Sequence, residues 1–105
     1  MPEPAPVPRC YLIAETLQIL DAAGFQEYQR GVEASFLPYG GRFLVRGGEV
    51  QPLEQGWQPQ RVVVIEFPSA DALRRWHESE KYATLRAKRR ATALTRSFMV
   101  DGYGP

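Results

Sequence analysis

The chain has 105 residues, of which 44% are hydrophobic and 24% are charged, and its formal net charge is +1. This length fits one small domain, and a net charge so close to zero excludes nucleic-acid binding that depends on a general basic excess. Every apolar run is shorter than the roughly 18 residues that a transmembrane helix needs, so we expect no membrane span.

The first nine residues contain four prolines and no apolar core of signal-peptide length. They predict a flexible, extended tail and not a secretion signal. The single cysteine, Cys10, cannot form an internal disulfide, which is typical of a reducing compartment. We therefore predict a cytoplasmic protein with a tail at 1–9, one folded domain at 10–101 and a short tail at 102–105.

The first half of the domain predicts a strand, a helix and a second strand. Residues 10–16 form the first strand, which is apolar on both sides over most of its length, and residues 17–20 lead out of it. Asp21 is a good helix N-cap. The stripe that follows has apolar residues at spacings of three and four, namely Phe25, Tyr28, Val32 and Phe36. Gly40 and Gly41 end this helix and begin a strand at 41–46.

The third predicted strand, 61–67, has apolar side chains pointing to both of its faces, so both faces must be covered. A loop rich in glycine and proline precedes it, and Pro68 ends it. Ser69 and Ser79 are predicted to cap helical segments at 70–78 and 80 to about 93, and a last strand follows at 94–101.

The resulting order, β-α-β-β-α-β, predicts a ferredoxin-like α+β fold. In that topology both helices cover one face of a four-stranded antiparallel sheet, with the first and third strands at its centre. Because these central strands are apolar on both sides, the uncovered face should meet a second sheet. A second copy of the chain is the simplest source, which predicts a homodimer.

Four motifs carry a resemblance to a known family: Ile13-Ala14-Glu15, the run at 39–48, the run at 63–69, and Trp76 followed by the segment 79–82. Together they cover about residues 10–101 and resemble the bacterial domain-of-unknown-function 1330 family of the dimeric α/β-barrel superfamily. His77 stands where that family commonly has tyrosine. The resemblance implies a ferredoxin-like protomer and a dimer with facing sheets. It implies no reaction, since the superfamily includes cofactor-free monooxygenases, isomerase-like proteins and haem-binding proteins.

Three charged residues at the ends of apolar strands, Glu15, Arg46 and Glu66, are the candidate catalytic residues. If they converge at one rim of the sheet, two carboxylates beside an arginine could bind a polar ligand or hold one carboxyl group protonated for acid–base catalysis. The alternative is a structural ion-pair network at strand ends. Opposite faces for Glu66 and Arg46 would exclude the convergence.

The candidate ligand-binding residues are mostly aromatic side chains with a polar tip, namely Tyr39, Arg42, Trp57, His77 and Tyr82. For Trp57 the alternative is a dimer contact or a lid, and for Tyr82 it is helix packing. One histidine and one cysteine without a ligand pattern predict no metal site, and we expect no cofactor. The basic stretch 86–90 is interpreted as a solvated helix face.

The predicted function is a small homodimer that binds a small organic metabolite in a cleft at the sheet or at the dimer interface. A catalytic version would be a cofactor-free oxygenase or isomerase acting on a carbonyl compound or an aromatic acid. The alternative is a non-catalytic dimer that binds a metabolite or a protein. A third alternative is haem binding through His77.

Overall fold

A computed structural model describes residues 7–104. Most of the predicted N-terminal tail, residues 1–6, and Pro105 at the end of the predicted C-terminal tail lie outside the described residues. The helices and strands, in chain order, are β1 (Cys10–Ile19), α1 (Ala22–Phe36), a 3₁₀ turn (Leu37–Tyr39), β2 (Arg42–Arg46), β3 (Arg61–Phe67), α2 (Ala70–His77), α3 (Glu80–Thr92) and β4 (Ala93–Asp101).

The four strands form one antiparallel sheet in the order β2-β3-β1-β4. Leu12 in β1 lies opposite Ile65 in β3 and opposite Met99 in β4, so β1 and β3 occupy the centre. The predicted ferredoxin-like α+β fold is therefore confirmed, with the second helical unit divided into α2 and α3.

Each helix begins where a short polar side chain can cap it. Asp21, Ser69 and Ser79 are the N-caps of α1, α2 and α3, and each accepts a hydrogen bond from the backbone N–H three residues later, at 3.1–3.2 Å. These bonds satisfy N–H groups that the first turn of a helix leaves without a partner. The predicted helix starts follow from this local chemistry.

One predicted boundary is wrong at the end of β1. Residues 17–19, which were expected to lead out of the strand, belong to β1 because they pair with the start of β4. Gln18 lies opposite Leu94 and Ile19 opposite Ala93, after a register shift between Thr16 and Gln18. Such a bulge lets a long strand bend while it keeps its pairing.

The core lies between the helices and the face of the sheet that they cover, and Trp76 is at its centre. The Trp76 side chain is fully buried, and its ring centroid lies 4.1 Å from that of Tyr82, 5.3 Å from that of Phe67 and 6.1 Å from that of Phe36. Its indole N–H donates a hydrogen bond of 2.9 Å to the hydroxyl of Ser35. The polar N–H group of the buried Trp76 ring therefore has a hydrogen-bond partner inside the core.

The turn into β2 depends on a glycine. Gly40 has φ +79°, and a Cβ atom there would lie 2.7 Å from Cγ of Pro68. Both the left-handed backbone and this close approach exclude a larger residue without rearrangement. The turn fixes the position where β2 starts beside β3.

The two faces of the sheet have different surroundings. Leu12, Val63 and Ile65 lie on the face that the helices cover. Ile13, Val64 and Phe98 occupy neighbouring positions on the opposite side, which we call the open face, and Phe98 is 59% exposed there. No helix within residues 7–104 is both long and apolar enough to cross a membrane.

Candidate functional site

A cavity of about 60 Å³ lies between α1 and the helix-covered face of the sheet, and we call it the helix-side cavity. Its apolar walls include Leu12, Val32, Phe43, Val63 and Ile65. One buried water needs roughly 10–15 Å³, so the cavity is larger than a packing defect. Its position between the sheet and a helix is one that proteins use for small ligands.

The charged residues in the lining of the helix-side cavity are all basic. Arg46, Arg61 and Arg89 line it together with Tyr28 and Gln29. Among the residues that the structure describes, no carboxylate belongs to the lining. The charge at the cavity is therefore positive, and neutral hydroxyl and amide groups lie beside it.

Two tyrosines and an arginine form a hydrogen-bonded chain at one end of the cavity. The hydroxyl groups of Tyr28 and Tyr82 are 3.1 Å apart, and Nη1 of Arg89 donates to the Tyr82 hydroxyl at 3.0 Å. Burial, together with the neighbouring Tyr82 hydroxyl, raises the pKa of Tyr28 far above its usual value, although Arg89 acts in the opposite direction. The rise leaves Tyr28 in the neutral form that a tyrosine already has at pH 7.

Arg46 occupies the side of the cavity nearest α1. Its guanidinium lies 4.4 Å from the centroid of the Phe43 ring, and its Nη2 donates a hydrogen bond of 3.0 Å to the backbone carbonyl of Gln29. The cation–π contact and the hydrogen bond both orient an otherwise exposed side chain. The arginine is thus held against the cavity and away from the open face.

The predicted convergence of Glu15, Arg46 and Glu66 is wrong. Arg42 lies opposite Glu66, but a register shift between Phe43 and Val45 places Arg46 opposite Val63, whose side chain is on the other face of the sheet. Glu15 shares the open face with Glu66 but lies four residues farther along β1 than Tyr11, the residue opposite Glu66. The bulge in β2 therefore removes the arginine from the two carboxylates.

Glu66 has a local ion-pair network of its own. Its carboxylate accepts hydrogen bonds from Nε of Arg42 at 2.9 Å, from the Tyr11 hydroxyl at 3.2 Å and from Nη1 of Arg9 at 3.4 Å. Burial alone would raise the pKa of Glu66, but the hydrogen bond and charge of Arg42, with help from Tyr11 and Arg9, outweigh it and lower the pKa. Glu66 is therefore held ionised.

This lowered pKa gives a testable pH dependence. Because the folded state holds the Glu66 pKa below its ordinary value of 4.5, the network stabilises the protein fully above that value and loses its effect as the pH falls through the folded-state pKa. As the pH falls below about 4.5, the unaltered protein should lose stability more steeply than Glu66→Gln, by up to about 1.4 kcal/mol per pH unit, the slope for one proton.

Urea unfolding at constant protomer concentration across this pH range measures the effect. Glu15→Gln is the matched control, because Glu15 also lies on the open face and pairs with an arginine, Arg96, at 3.0 Å. Parallel stability curves for the unaltered protein and Glu66→Gln would contradict the assignment of the network to Glu66.

The five predicted ligand-binding residues do not form one site. Tyr39 packs against the core in the 3₁₀ turn, and Arg42 lies on the open face. Trp57 is 66% exposed in the loop after β2, where it borders a hollow of about 260 Å³ on the open face. Tyr82 is fully buried and meets the helix-side cavity through the hydrogen bonds of its hydroxyl with Tyr28 and Arg89.

His77 is the last residue of α2 and does not line the helix-side cavity. Its ring centroid lies 6.1 Å from that of Trp76 and 5.6 Å from that of Tyr82. Burial, and then the nearby charges of Arg86 and Arg89, lower the pKa of His77, so the imidazole is neutral at pH 7. Among the described residues, His77 belongs to neither the lining of the helix-side cavity nor that of the hollow on the open face.

The sequence interpretation missed the most informative residue of the cavity. Arg89 was expected to face solvent with its basic neighbours, but it is half-buried and bonded to Tyr82. The signal was available in the spacing, because Arg89 follows Tyr82 by seven residues, two helical turns, and so lies on the same face of α3. Within residues 7–104, no group of three or more His, Cys, Asp or Glu side chains is placed to hold a metal ion.

The sequence and the fold can now be compared with known proteins. The family model described as "Domain of unknown function (DUF1330)" matches residues 9–103. The chain belongs to the DUF1330 family. This membership confirms the resemblance seen in the sequence motifs, although the family has no function assigned in its description. No curated protein matches the chain in sequence.

Several solved structures share the fold of this DUF1330 protein. RPA0582, a protein of unknown function from Rhodopseudomonas palustris, has a TM-score of 0.77 and 17% identity, over 96% of this chain and 87% of that one. SnoaB from Streptomyces nogalater, a cofactor-independent oxygenase, has a TM-score of 0.67 and 14% identity, over 94% and 97%.

A third structure bears on assembly. A dimeric protein of unknown function with a ferredoxin-like fold, from Bacteroides fragilis, has a TM-score of 0.60 and 11% identity, over 90% of this chain and 96% of that one. At these identities the three structures establish the shared fold alone.

Proposed function

We propose that this DUF1330 protein is a homodimer in which each protomer binds a small organic molecule in the helix-side cavity. The observation that carries the proposal is the cavity itself, where apolar walls meet a few hydrogen-bonding side chains. Ligand sites typically have this composition, since apolar walls supply affinity and a small number of polar groups supply orientation.

The open face of the sheet supports the dimer. Ile13, Val62 and Val64 form an apolar patch at its centre, and Phe98 and Val100 of β4 extend the patch and are 59% and 44% exposed. Soluble monomers rarely expose a continuous patch of this kind. A second copy related by a two-fold axis would cover it with the same patch, and the related protein from Bacteroides fragilis is dimeric.

The lining of the cavity favours binding without a protein-derived base. Among the described residues, no carboxylate and no histidine belongs to the lining. The carboxylates that were predicted to be catalytic, Glu15 and Glu66, lie on the open face. SnoaB is an oxygenase, so the binding experiment below also measures whether this protein converts the bound molecule.

The cellular location is a further part of the proposal. Cys10 is the only cysteine and is fully buried at the start of β1. A thiol in this position behaves as a small apolar side chain and needs no oxidising compartment. We place the protein in the cytoplasm.

Titration calorimetry with phenol, benzamide and benzoate tests the binding proposal. Val63→Phe should abolish binding, because the larger side chain occupies the cavity at an overpacking cost of about 1–3 kcal/mol. Leu37→Phe is the control, since Leu37 is exposed and lies outside the cavity lining. Oxygen uptake in the same solutions measures conversion. Equal binding by Val63→Phe and the unaltered protein would contradict the placement of the site.

A further inference from the structure

The helix-side cavity carries an unbalanced positive charge. Arg46, Arg61 and Arg89 all line it, and among residues 7–104 none of the three takes part in a salt bridge. On the open face, Arg42 pairs with Glu66 and Arg96 with Glu15, whereas arginines elsewhere, such as Arg30 and Arg90, also have no described salt bridge. The arginines of the cavity therefore lack carboxylate partners, whereas Arg42 and Arg96 on the open face have them.

Arg89 is the most unusual of the three arginines. Its Nη1 donates to the Tyr82 hydroxyl, but its Nε is buried and has no hydrogen-bond partner in the part of the chain that the structure describes. A buried donor without a partner is unfavourable, and a charged one more so. Arg89 also lines the cavity, and no described carboxylate pairs with it, so its guanidinium charge is available to an anionic group of a ligand.

Tyr28 supplies a second hydroxyl group beside Arg89. It lines the cavity, and a tyrosine hydroxyl, with an ordinary pKa of about 10, can donate a hydrogen bond at neutral pH. Phe25 and Phe43 provide aromatic surface in the same lining. A ligand that satisfies all of these groups has an anionic oxygen and a flat apolar body.

We propose that the helix-side cavity selects a small aromatic carboxylate and that Arg89 is its specificity-determining residue. The inference rests on the proposed function, because it requires the cavity to be a ligand site. The carboxylate would accept from the guanidinium of Arg89 and from the Tyr28 hydroxyl, while Arg46 and Arg61 add positive charge. Hydrogen bonds between a guanidinium and a carboxylate are short and strong.

Two pairs of an acid and its neutral amide test the selection: benzoate with benzamide, and phenylacetate with phenylacetamide. Each pair has nearly the same shape and differs in charge. In titration calorimetry at pH 7, each acid should bind the unaltered protein at least about tenfold more tightly than its amide, the factor expected for one charge-assisted hydrogen bond. The ratio of the acid affinity to the amide affinity is measured on the unaltered protein, so it does not depend on whether a variant folds.

Arg89→Gln should weaken binding of both acids by roughly tenfold to a hundredfold and leave binding of the amides within about twofold. Arg90→Gln is the matched control, because Arg90 is adjacent, exposed and outside the cavity lining. Tyr28→Phe, which removes one donor without a change of charge, should weaken the acids by about threefold to tenfold. Urea midpoints of the variants verify that each is folded.

The outcomes separate the two proposals. Equal affinity for acid and amide in the unaltered protein, or equal losses of both in Arg89→Gln, overturns the selection of carboxylates and leaves the small-molecule site standing. If neither phenol nor any of the four compounds binds, the proposed function fails together with the selection. An Arg90→Gln variant that loses acid binding as Arg89→Gln does would assign the effect to general charge and overturn the role of Arg89.

Discussion

The substitution Phe98→Asp should convert the dimer into a folded monomer. Phe98 lies on the open face in β4 and is 59% exposed in the protomer, so the protomer loses little when the ring is removed. In the proposed dimer the ring is buried, once in each copy. Burial of two such side chains contributes about 3–6 kcal/mol, so the dissociation constant should rise by roughly 10²–10⁴. The buried carboxylate adds to this loss.

Sedimentation equilibrium over a dilution series into the low micromolar range measures the change. Leu37→Asp is the control, because Leu37 is similarly exposed, at 57%, but belongs to the 3₁₀ turn after α1 and not to the sheet. The control should remain a dimer. A monomeric unaltered protein, or a dimer that survives Phe98→Asp, would contradict the assignment of the open face to a second copy.

Trp76→Ala should destabilise the protein more than any other single change considered for its core. The side chain is fully buried among the rings of Phe36, Phe67 and Tyr82, and its N–H is bonded to Ser35. Large-to-small changes of a buried tryptophan cost about 3–5 kcal/mol, through lost burial and through the cavity that remains. The Ser35 hydroxyl also loses a partner.

Urea unfolding followed by circular dichroism at one fixed protomer concentration measures this cost, since dimerisation makes stability depend on concentration. Tyr103→Ala is the control, because Tyr103 is fully exposed near the C-terminus. Its change should stay within about 0.5 kcal/mol, as is usual for surface positions. Similar losses for the two variants would show that Trp76 is not the centre of the core.

The fold followed from local signals in the sequence. The apolar run between Pro59 and Pro68 defined β3 at its observed limits, 61–67. The capping residues Asp21, Ser69 and Ser79 located the helix starts. These features were predictable because strand length, capping and turn residues depend on neighbours in sequence.

The site was much less predictable, since it depends on how distant segments meet. A bulge within β2 turned Arg46 to the helix-covered face, and strict alternation along the strand could not foresee it. The cavity is a space left between α1 and the sheet, and no local pattern marks such a space. Arg89 was hidden among basic neighbours, although its spacing from Tyr82 placed it on the buried side of α3.

The central claim is that the two faces of the sheet have separate roles: the helix-covered face binds a small molecule, and the open face binds a second copy. Mapping of backbone amide chemical shifts by NMR during titration with benzoate tests it most directly. We predict shifts at residues of the cavity lining, such as Thr16, Gln29 and Val32. Shifts confined to Ile13, Val64 and Phe98 would place the ligand on the open face and contradict the account.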